Sequence, residues 1–292
     1  MRARRALLYM PGDDLRKIQK AAGLQVDCVV MDLEDAVATH CKDEARKVTA
    51  SALGSLDFGG SERLVRINSF VSGQAEDDLR AVLPARPDGI LLSKTTQPAD
   101  LVRLDELIRR AEMEHGWPEN SILMIAILEN ALGIVNLAEI CRAGGSRLSA
   151  LVCGGEDLAA DMNAIRSRDA RELFYARSAV VLHAAAFRLQ AIDMVCTDFT
   201  DPGLAAQEAR AGMQMGFSGK QIIHPNQVEP VQSAFTPDED EIVYAMQIIR
   251  QFEHSIQNGH AAFALDGAMV DLPVVIRARS LLERARAGGK IE

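Results

Sequence analysis

Several features that would indicate other protein classes are missing from this sequence. The longest strongly apolar stretch, residues 122–128, is far shorter than the roughly 20 residues that a membrane span needs. Five scattered cysteines without a Cys-x-x-Cys pair argue against zinc and favour reduced thiols. The 32 Lys and Arg residues are outnumbered by 41 Asp and Glu, which argues against nucleic-acid binding. No signal-peptide pattern opens the chain, so we expect a cytoplasmic protein without membrane or nucleic-acid partners.

The pattern that is present is an alternation of strands and helices. Strands that are apolar on both faces and alternate with helices are typical of a buried parallel sheet. Eight such units in about 230 residues favour a closed (β/α)8 TIM barrel over an open sheet. An open dinucleotide-binding sheet should carry Gly-x-Gly-x-x-Gly after its first strand, where this chain has Met-Pro-Gly-Asp-Asp at 10–14. The predicted strands are 6–9, 28–32, 64–67, 89–92, 123–128, 150–153, 191–195 and 221–223, and the predicted helices are 14–22, 42–53, 75–83, 99–115, 131–143, 169–189 and 205–215.

The alternation ends after the eighth predicted strand. Pro237 opens an acidic turn that favours a helix to about Gln257, and a last helix is predicted at 273–286. We therefore predict an α/β protein with a barrel domain at 1–235 and a C-terminal helical lid extension at 236–292. This tail is expected to lack a strong core and to pack on the barrel or on a neighbouring subunit.

Charged residues follow several of the predicted strands. The active site of a TIM barrel lies at the carboxyl ends of its strands, and a buried charge is costly unless it is paired or bound to a metal. Glu129 and Asp157 follow the adjacent fifth and sixth strands. Two carboxylates without Cys or His form a hard oxygen site that suits Mg²⁺, with Mn²⁺ as a second possibility. The alternative is that each carboxylate caps the helix that follows it.

The remaining candidates in this region are ligand-binding residues. Arg66 suits bidentate binding of a carboxylate, or it pairs with Asp32 or Glu34. The Gly154-Gly155 pair lets the backbone approach a ligand, or it serves a tight turn. Lys94 is a second cation or a solvated side chain.

Basic and histidine residues complete the candidate set. Arg5, Arg16 and Lys17 belong to a basic cluster near the two ends of the first strand, which indicates either a phosphate-rich ligand or a solvated face. His224 contacts a ligand or caps a strand, and His183 is expected to pack within a helix.

Ordered motifs over nearly the whole chain resemble the citrate lyase beta-subunit-like proteins of the HpcH/HpaI aldolase group. The motifs are LYMPGDD at 8–14, MDLEDAV at 31–37, VRIN at 65–68, ENALG at 129–133, GGED at 154–157 and GKQIIHPNQ at 219–227. The tail segment GAMVDLP at 267–273 looks most like stand-alone citramalyl-CoA and malyl-CoA lyases.

This resemblance implies a barrel with a lid, Mg²⁺ held at Glu129 and Asp157, and a 2-keto acid bound by Arg66. It implies CoA near the N-terminal basic segment, and a homotrimer or hexamer whose lid reaches the neighbouring site. Asp271 matches the family's catalytic acid/base aspartate, although the residues alone indicate only a helix cap before Pro273. We assign Glu34 and Asp35 to orienting Arg66 or the waters around the metal, and Glu156 to the substrate.

The expected activity is Mg²⁺-dependent cleavage of a 3-hydroxyacyl-CoA such as citramalyl-CoA into acetyl-CoA and pyruvate. One alternative is a malyl-CoA or β-methylmalyl-CoA lyase or thioesterase. A second is a citrate lyase beta subunit that uses an acyl carrier protein. A third, of another class, is a non-catalytic metabolite-binding barrel.

Overall fold

Eight parallel strands close into a barrel in sequence order within residues 2–291, which are the residues that this computed structural model describes. Each strand pairs with the next, and the first strand closes on the last, with Leu8 opposite Ile222. The predicted TIM barrel is confirmed, and every predicted strand overlaps an observed one. The strands are β1 (Ala6–Pro11), β2 (Cys28–Asp32), β3 (Glu62–Ile67), β4 (Gly89–Leu92), β5 (Leu123–Leu128), β6 (Leu148–Cys153), β7 (Gln190–Asp193) and β8 (Gly219–Ile222).

Helices connect the strands, and side-chain caps start several of them. Asp14, Asn130 and Asp201 each accept a backbone hydrogen bond from the first turn of the helix that follows. No helix within 2–291 combines the length and the hydropathy needed to cross a membrane. The helices that follow the strands are α1 (Leu15–Ala22), α2 (Lys42–Ser55), α3 (Ala75–Val82), α4 (Pro98–His115), α5 (Ala131–Val135), α6 (Leu137–Ala143), α7 (Gly155–Asp161), α8 (Phe174–Phe187), α9 (Pro202–Met215) and α10 (Val228–Phe235).

Two predicted helices differ from the structure. The segment predicted at 131–143 is interrupted at Asn136, which ends α5 and begins α6. The helix predicted at 169–189 begins only at Phe174, because a 3-10 turn at Arg171–Leu173 precedes it.

The barrel interior explains which side chains reach the carboxyl ends of the strands. Val30, Leu64 and Ile127 belong to one cluster of fully buried apolar residues. Successive side chains on a strand point to opposite faces, so the residue two positions further on faces the same way. Those positions are Asp32, Arg66 and Glu129, and the carboxyl end of the barrel is therefore charged.

The amino ends of the strands carry a separate set of ion pairs. Arg4 binds Glu62 through Nε and Nη2 at 2.6 and 2.7 Å, and Arg5 binds Asp27 through Nε and Nη2 at 2.8 and 2.7 Å. Arg5 precedes β1, so it lies at the edge opposite the carboxyl ends. The assignment of Arg5 to the ligand is therefore corrected, because its guanidinium is paired with Asp27. The basic residues that are close in sequence lie at two different edges of the barrel.

The chain divides into two compact units, one at Arg4–Gln232 and a second formed by residues 233–291 with residues 2–3. The second unit contains α11 (Glu239–Gln257), an antiparallel hairpin of β9 (Phe263–Leu265) and β10 (Ala268–Val270), and α12 (Leu272–Ala287). The hairpin was not predicted, although its turn is an Asp-Gly pair. Asp266 and Gly267 both have positive φ, at 48° and 78°, as such a two-residue turn requires.

The C-terminal unit has an apolar core of its own, contrary to our expectation. Both helices and the hairpin contribute buried side chains to this core. Its buried residues include Ile242, Ile248, Leu265, Val275 and Leu282.

Candidate functional site

A cavity of about 310 Å³ lies at the carboxyl ends of the barrel strands. It is lined by six of the predicted site residues, which the structure therefore brings together: Arg66, Glu129, Gly154, Gly155, Glu156 and Asp157. Tyr9, Asp32 and Gln221 also line it.

Glu129 is a buried carboxylate at the end of β5. Only 3% of it is exposed, and its Oε1 accepts a hydrogen bond of 2.6 Å from the backbone N–H of Lys94. The pKa of Glu129 is raised to about 8, mainly by burial and in part by the charges of Glu34 and Asp157. The capping alternative does not apply to this residue, since Asn130 caps α5 instead.

Asp157 is the third residue of α7 and is half-buried. Gly154 occupies the cap position, so Asp157 does not cap the helix, and Asp157 lines the same cavity as Glu129. Among residues 2–291 no three His, Cys, Asp or Glu side chains form a group that could hold a metal ion. Two carboxylates beside an open cavity fit Mg²⁺, which is usually bound by one or two carboxylates plus water and substrate oxygens.

Gly154 is required by the packing around Glu129. A Cβ at position 154 would lie 2.3 Å from Glu129 Cβ and 2.8 Å from its Oε2. A Cβ at Gly155 would lie 2.6 Å from Met194 Sδ. The two glycines therefore serve a tight turn that leaves room for the Glu129 carboxylate and for Met194. The approach of their backbone to a ligand stays a prediction.

Arg66 is held by two carboxylates. Its Nε and Nη2 donate to the two oxygens of Asp32 at 2.6 and 2.5 Å, and its Nη1 lies 3.1 Å from Glu34 Oε2. Its guanidinium also lies over the Tyr9 ring, 5.3 Å from the centroid. Burial favours the neutral form, but the Asp32 hydrogen bonds outweigh it and raise the pKa of Arg66 above its ordinary value. The guanidinium fork of Arg66 is therefore permanently charged and held by Asp32, and the residue lines the cavity.

Glu34, Asp35 and Lys94 form a charged group beside this fork. Lys94 Nζ bonds to Glu34 Oε1 and lies 3.5 Å from Asp35 Oδ1. Burial raises the pKa of Glu34 although Arg66 and Lys94 oppose the shift. Asp35 is about half exposed, whereas Glu34 is buried. The predicted residues at the ends of β2 and β4 are thus in contact with one another.

The sequence analysis missed three residues of this region. Tyr9 and Gln221 line the cavity, and the two-residue alternation along β1 would have identified Tyr9, since it follows the buried Leu7 on the same face. Lys42 donates to the backbone carbonyls of Leu33 and Glu34, both at 2.6 Å, and so anchors the loop after β2. No pattern in the sequence identifies contacts to carbonyl oxygens.

The other candidates lie outside this group. Arg16 and Lys17 are exposed in the first turn of α1, and Lys17 Nζ is 3.4 Å from Asp14 Oδ2. His224 accepts a hydrogen bond from the Asn226 N–H and caps a 3-10 turn, and His183 bonds within α8 to the Ala179 carbonyl.

Asp271 belongs to the C-terminal unit. It caps α12, where its side chain accepts a hydrogen bond of 3.4 Å from the Val274 N–H.

Comparison with known proteins gives a consistent set of relatives. Residues 5–225 match the family model described as HpcH/HpaI aldolase/citrate lyase. The chain is 39% identical to the mitochondrial citramalyl-CoA lyase of Rattus norvegicus over 97% of this chain and 86% of that protein. It is 37% identical to the citrate lyase subunit beta of Leuconostoc mesenteroides subsp. cremoris, over 100% of this chain and 96% of that one. Among solved structures, CitE from Mycobacterium tuberculosis in complex with magnesium, acetoacetate and coenzyme A has a TM-score of 0.80 and 30% identity, covering 97% of this chain and 98% of that one.

Proposed function

This chain belongs to the HpcH/HpaI aldolase/citrate lyase family, and we propose that it is a Mg²⁺-dependent lyase that cleaves a 3-hydroxyacyl-CoA such as (S)-citramalyl-CoA. The products are acetyl-CoA and a 2-keto acid, pyruvate in the citramalyl case. The observation that carries the proposal is the convergence of Glu129, Asp157 and the Arg66 fork on one cavity. The 39% identity to a citramalyl-CoA lyase supports the choice of substrate.

In this proposal Glu129 and Asp157 hold the ion. Mg²⁺ held there would stabilise negative charge on substrate oxygens and lower the pKa of the substrate hydroxyl. Arg66 binds the carboxylate that becomes part of the keto acid, and Asp32 keeps the guanidinium oriented. Glu34 and Asp35 hold Arg66 and Lys94 in their places, and Gly154, Gly155 and Glu156 form the wall beside the thioester.

Cleavage requires two proton movements. The substrate hydroxyl loses its proton, a carbonyl forms at that carbon, and the bond to the neighbouring carbon breaks. The electron pair remains on the thioester fragment as an enolate, whose carbon then takes up a proton. We assign both movements to Asp271 of a second copy of this chain in a homotrimer or hexamer: its carboxylate takes the hydroxyl proton and then delivers it to the enolate carbon. The assignment rests on the resemblance of its segment to the family's lid.

The CoA moiety is assigned to Arg16 and Lys17, whose charges are exposed on the first turn of α1. Phosphate groups are bound by such exposed cations, with an affinity that falls as salt rises. The five cysteines are all free thiols, which supports a reducing compartment such as the cytoplasm.

A second candidate is a citrate lyase beta subunit that acts on a citryl thioester, supported by the 37% identity to such a subunit over the whole chain. Both candidates use the same carboxylates and the same arginine, so they differ in the acyl group and in the carrier.

The test is a substrate panel on the purified protein, with Mg²⁺ or with EDTA. We expect release of pyruvate and acetyl-CoA from citramalyl-CoA in Mg²⁺ only, and loss of that activity in Asp157→Ala. His183→Phe is the control, because His183 bonds only within its helix in the described structure. Oxaloacetate from a citryl thioester would favour the second candidate, and free CoA with intact malate would indicate a thioesterase. Binding without turnover of any thioester would overturn the enzymatic proposal.

A further inference from the structure

Lys94 has a backbone conformation that side-chain-bearing residues seldom adopt. Its φ is 48°, in the left-handed region. Residues with a Cβ, apart from Asn and Asp, avoid this region because Cβ crowds the following carbonyl oxygen. Such conformations persist only where the surroundings enforce them, and they concentrate at functional sites.

The residues on each side of Lys94 are fixed to neighbouring strands. The Ser93 N–H donates to the Ile67 carbonyl at 3.4 Å, and the Thr95 N–H donates to the Ile127 carbonyl at 3.1 Å. With the chain tied to β3 and β5 at these two points, the φ of Lys94 determines the direction of the N–H between them. That N–H donates to Glu129 Oε1 at 2.6 Å.

The side chain of Lys94 is engaged elsewhere. Its ammonium group bonds to Glu34 Oε1 and lies 3.5 Å from Asp35. These contacts lie within the protein, and they hold the residue whose backbone carries the strain. Gly154 packs against the other side of the Glu129 side chain, with no room for a Cβ.

We propose that Lys94 is a positioning residue whose left-handed backbone aims its N–H at Glu129 and thereby sets that carboxylate for the cation, while its ammonium group stabilises the conformation through Glu34. This inference rests on the proposed function, since it assumes that Glu129 is a ligand of Mg²⁺. It differs from a substrate-binding role for Lys94, in which the ammonium group itself would contact the ligand.

The backbone role and the charge role of Lys94 predict different Mg²⁺ affinities for the same set of substitutions. Glycine and asparagine tolerate positive φ and carry no charge, whereas alanine carries no charge and does not tolerate positive φ. If the backbone is what matters, Lys94→Gly and Lys94→Asn retain the N–H to Glu129, and Lys94→Ala relaxes away from it. If the charge is what matters, the three variants behave alike.

The experiment is calorimetric titration of the full chain with MgCl₂ alone, without substrate. We expect Lys94→Gly and Lys94→Asn to bind Mg²⁺ within about threefold of the wild type, and Lys94→Ala to bind about tenfold more weakly. The matched control is Gln25, which is exposed and also left-handed, with φ 52°, at the amino end of β2. Gln25→Gly and Gln25→Ala should leave Mg²⁺ affinity unchanged. Thermal unfolding without metal checks that each variant is folded.

Equal Mg²⁺ affinities for the glycine, asparagine and alanine variants would overturn the inference, whatever their common value. Glu129→Gln separates this outcome from failure of the proposed function. If Glu129→Gln binds Mg²⁺ as tightly as the wild type, Glu129 is not a ligand and the proposed function itself fails. If Glu129→Gln no longer binds Mg²⁺ and the three Lys94 variants have equal Mg²⁺ affinities, only the positioning role of Lys94 is wrong.

Discussion

Arg66 and Asp32 form a two-pronged ion pair in which both carboxylate oxygens accept hydrogen bonds, at 2.6 and 2.5 Å. Asp32 is only 1% exposed, and it also accepts hydrogen bonds from the backbone N–H groups of Glu34 and Ala36. One buried carboxylate therefore orients the guanidinium and shapes the loop that carries Glu34. The cavity is thus lined by a guanidinium whose orientation Asp32 fixes.

Replacing Arg66 by lysine keeps the charge and removes the fork. The single ammonium group of a lysine cannot bind both oxygens of Asp32 with the geometry of the guanidinium and also donate a hydrogen bond to the ligand. We expect Arg66→Lys to reduce kcat/KM by about 10- to 100-fold, the value of one charged hydrogen bond. Steady-state kinetics with the preferred thioester measures it.

Arg63→Lys is the matched control for this change. Arg63 lies on the same strand and makes a similar pair with Asp88, with both contacts at 3.2 Å, at the opposite edge of the barrel. It should leave kcat/KM near the wild-type value. Equal losses in the two variants would mean that the arginine at position 66 serves stability and not the ligand.

The protonation of Glu129 predicts how stability depends on pH in the metal-free protein. With its pKa near 8 instead of 4.5, folded Glu129 retains a proton that the unfolded chain has lost. Its contribution to stability is therefore complete below about pH 4.5 and declines as pH rises toward 8, by at most ~1.4 kcal/mol per pH unit.

Glu129→Gln removes this titration, so its free energy of unfolding should decline less than that of the wild type between pH 5 and pH 8. Chemical denaturation in EDTA at several pH values measures the two curves. Added Mg²⁺ should stabilise the wild type more at pH 8 than at pH 6, because binding needs the ionised carboxylate. Parallel curves for wild type and variant would contradict a raised pKa at this residue.

The assignment of CoA to α1 predicts an effect that depends on the phosphates of the substrate. Replacing Arg16 and Lys17 together by serine should raise KM for a CoA thioester about tenfold or more and flatten its dependence on salt. The same acyl group on pantetheine, which lacks the nucleotide phosphates, should be turned over as by the wild type.

Lys47→Ser is the control for this pair, since Lys47 is an exposed lysine of α2 with a side chain 76% exposed. It should change neither KM nor the salt dependence. An unchanged KM for the CoA thioester in the double variant would contradict CoA binding by Arg16 and Lys17 and would indicate that both side chains are merely solvated.

The assignment of Asp271 to a second copy predicts complementation between two inactive variants. Glu129→Gln lacks a metal ligand and Asp271→Asn lacks the acid, so each should be inactive alone. If the acid comes from a neighbouring chain, random mixing in a ring regenerates about a quarter of the sites with both groups intact. Co-expression followed by activity assays measures the recovery, and no recovery from verified mixed oligomers would contradict the shared site.

The sequence identified the barrel and the charged strand ends because both follow from simple rules. Apolar strands that alternate with helices indicate a parallel barrel, and charges at buried strand ends indicate a site. These rules singled out Glu129, Asp157 and Arg66, which the structure places around one cavity. The hairpin at Asp266-Gly267 was also recognisable from its turn residues. The left-handed backbone of Lys94 could not be predicted, since lysine has no preference for positive φ and the anchoring carbonyls belong to distant strands.

Equilibrium binding of Mg²⁺ to Asp157→Asn, compared with the wild type in the absence of substrate, tests the central claim most directly. Asparagine keeps the size of the side chain and one oxygen but removes the charge that the ion requires. The account predicts that the affinity falls by at least about 100-fold, more than the loss of an outer hydrogen bond around a metal would cause. An affinity within about twofold of the wild type would contradict the claim that Glu129 and Asp157 hold the ion together.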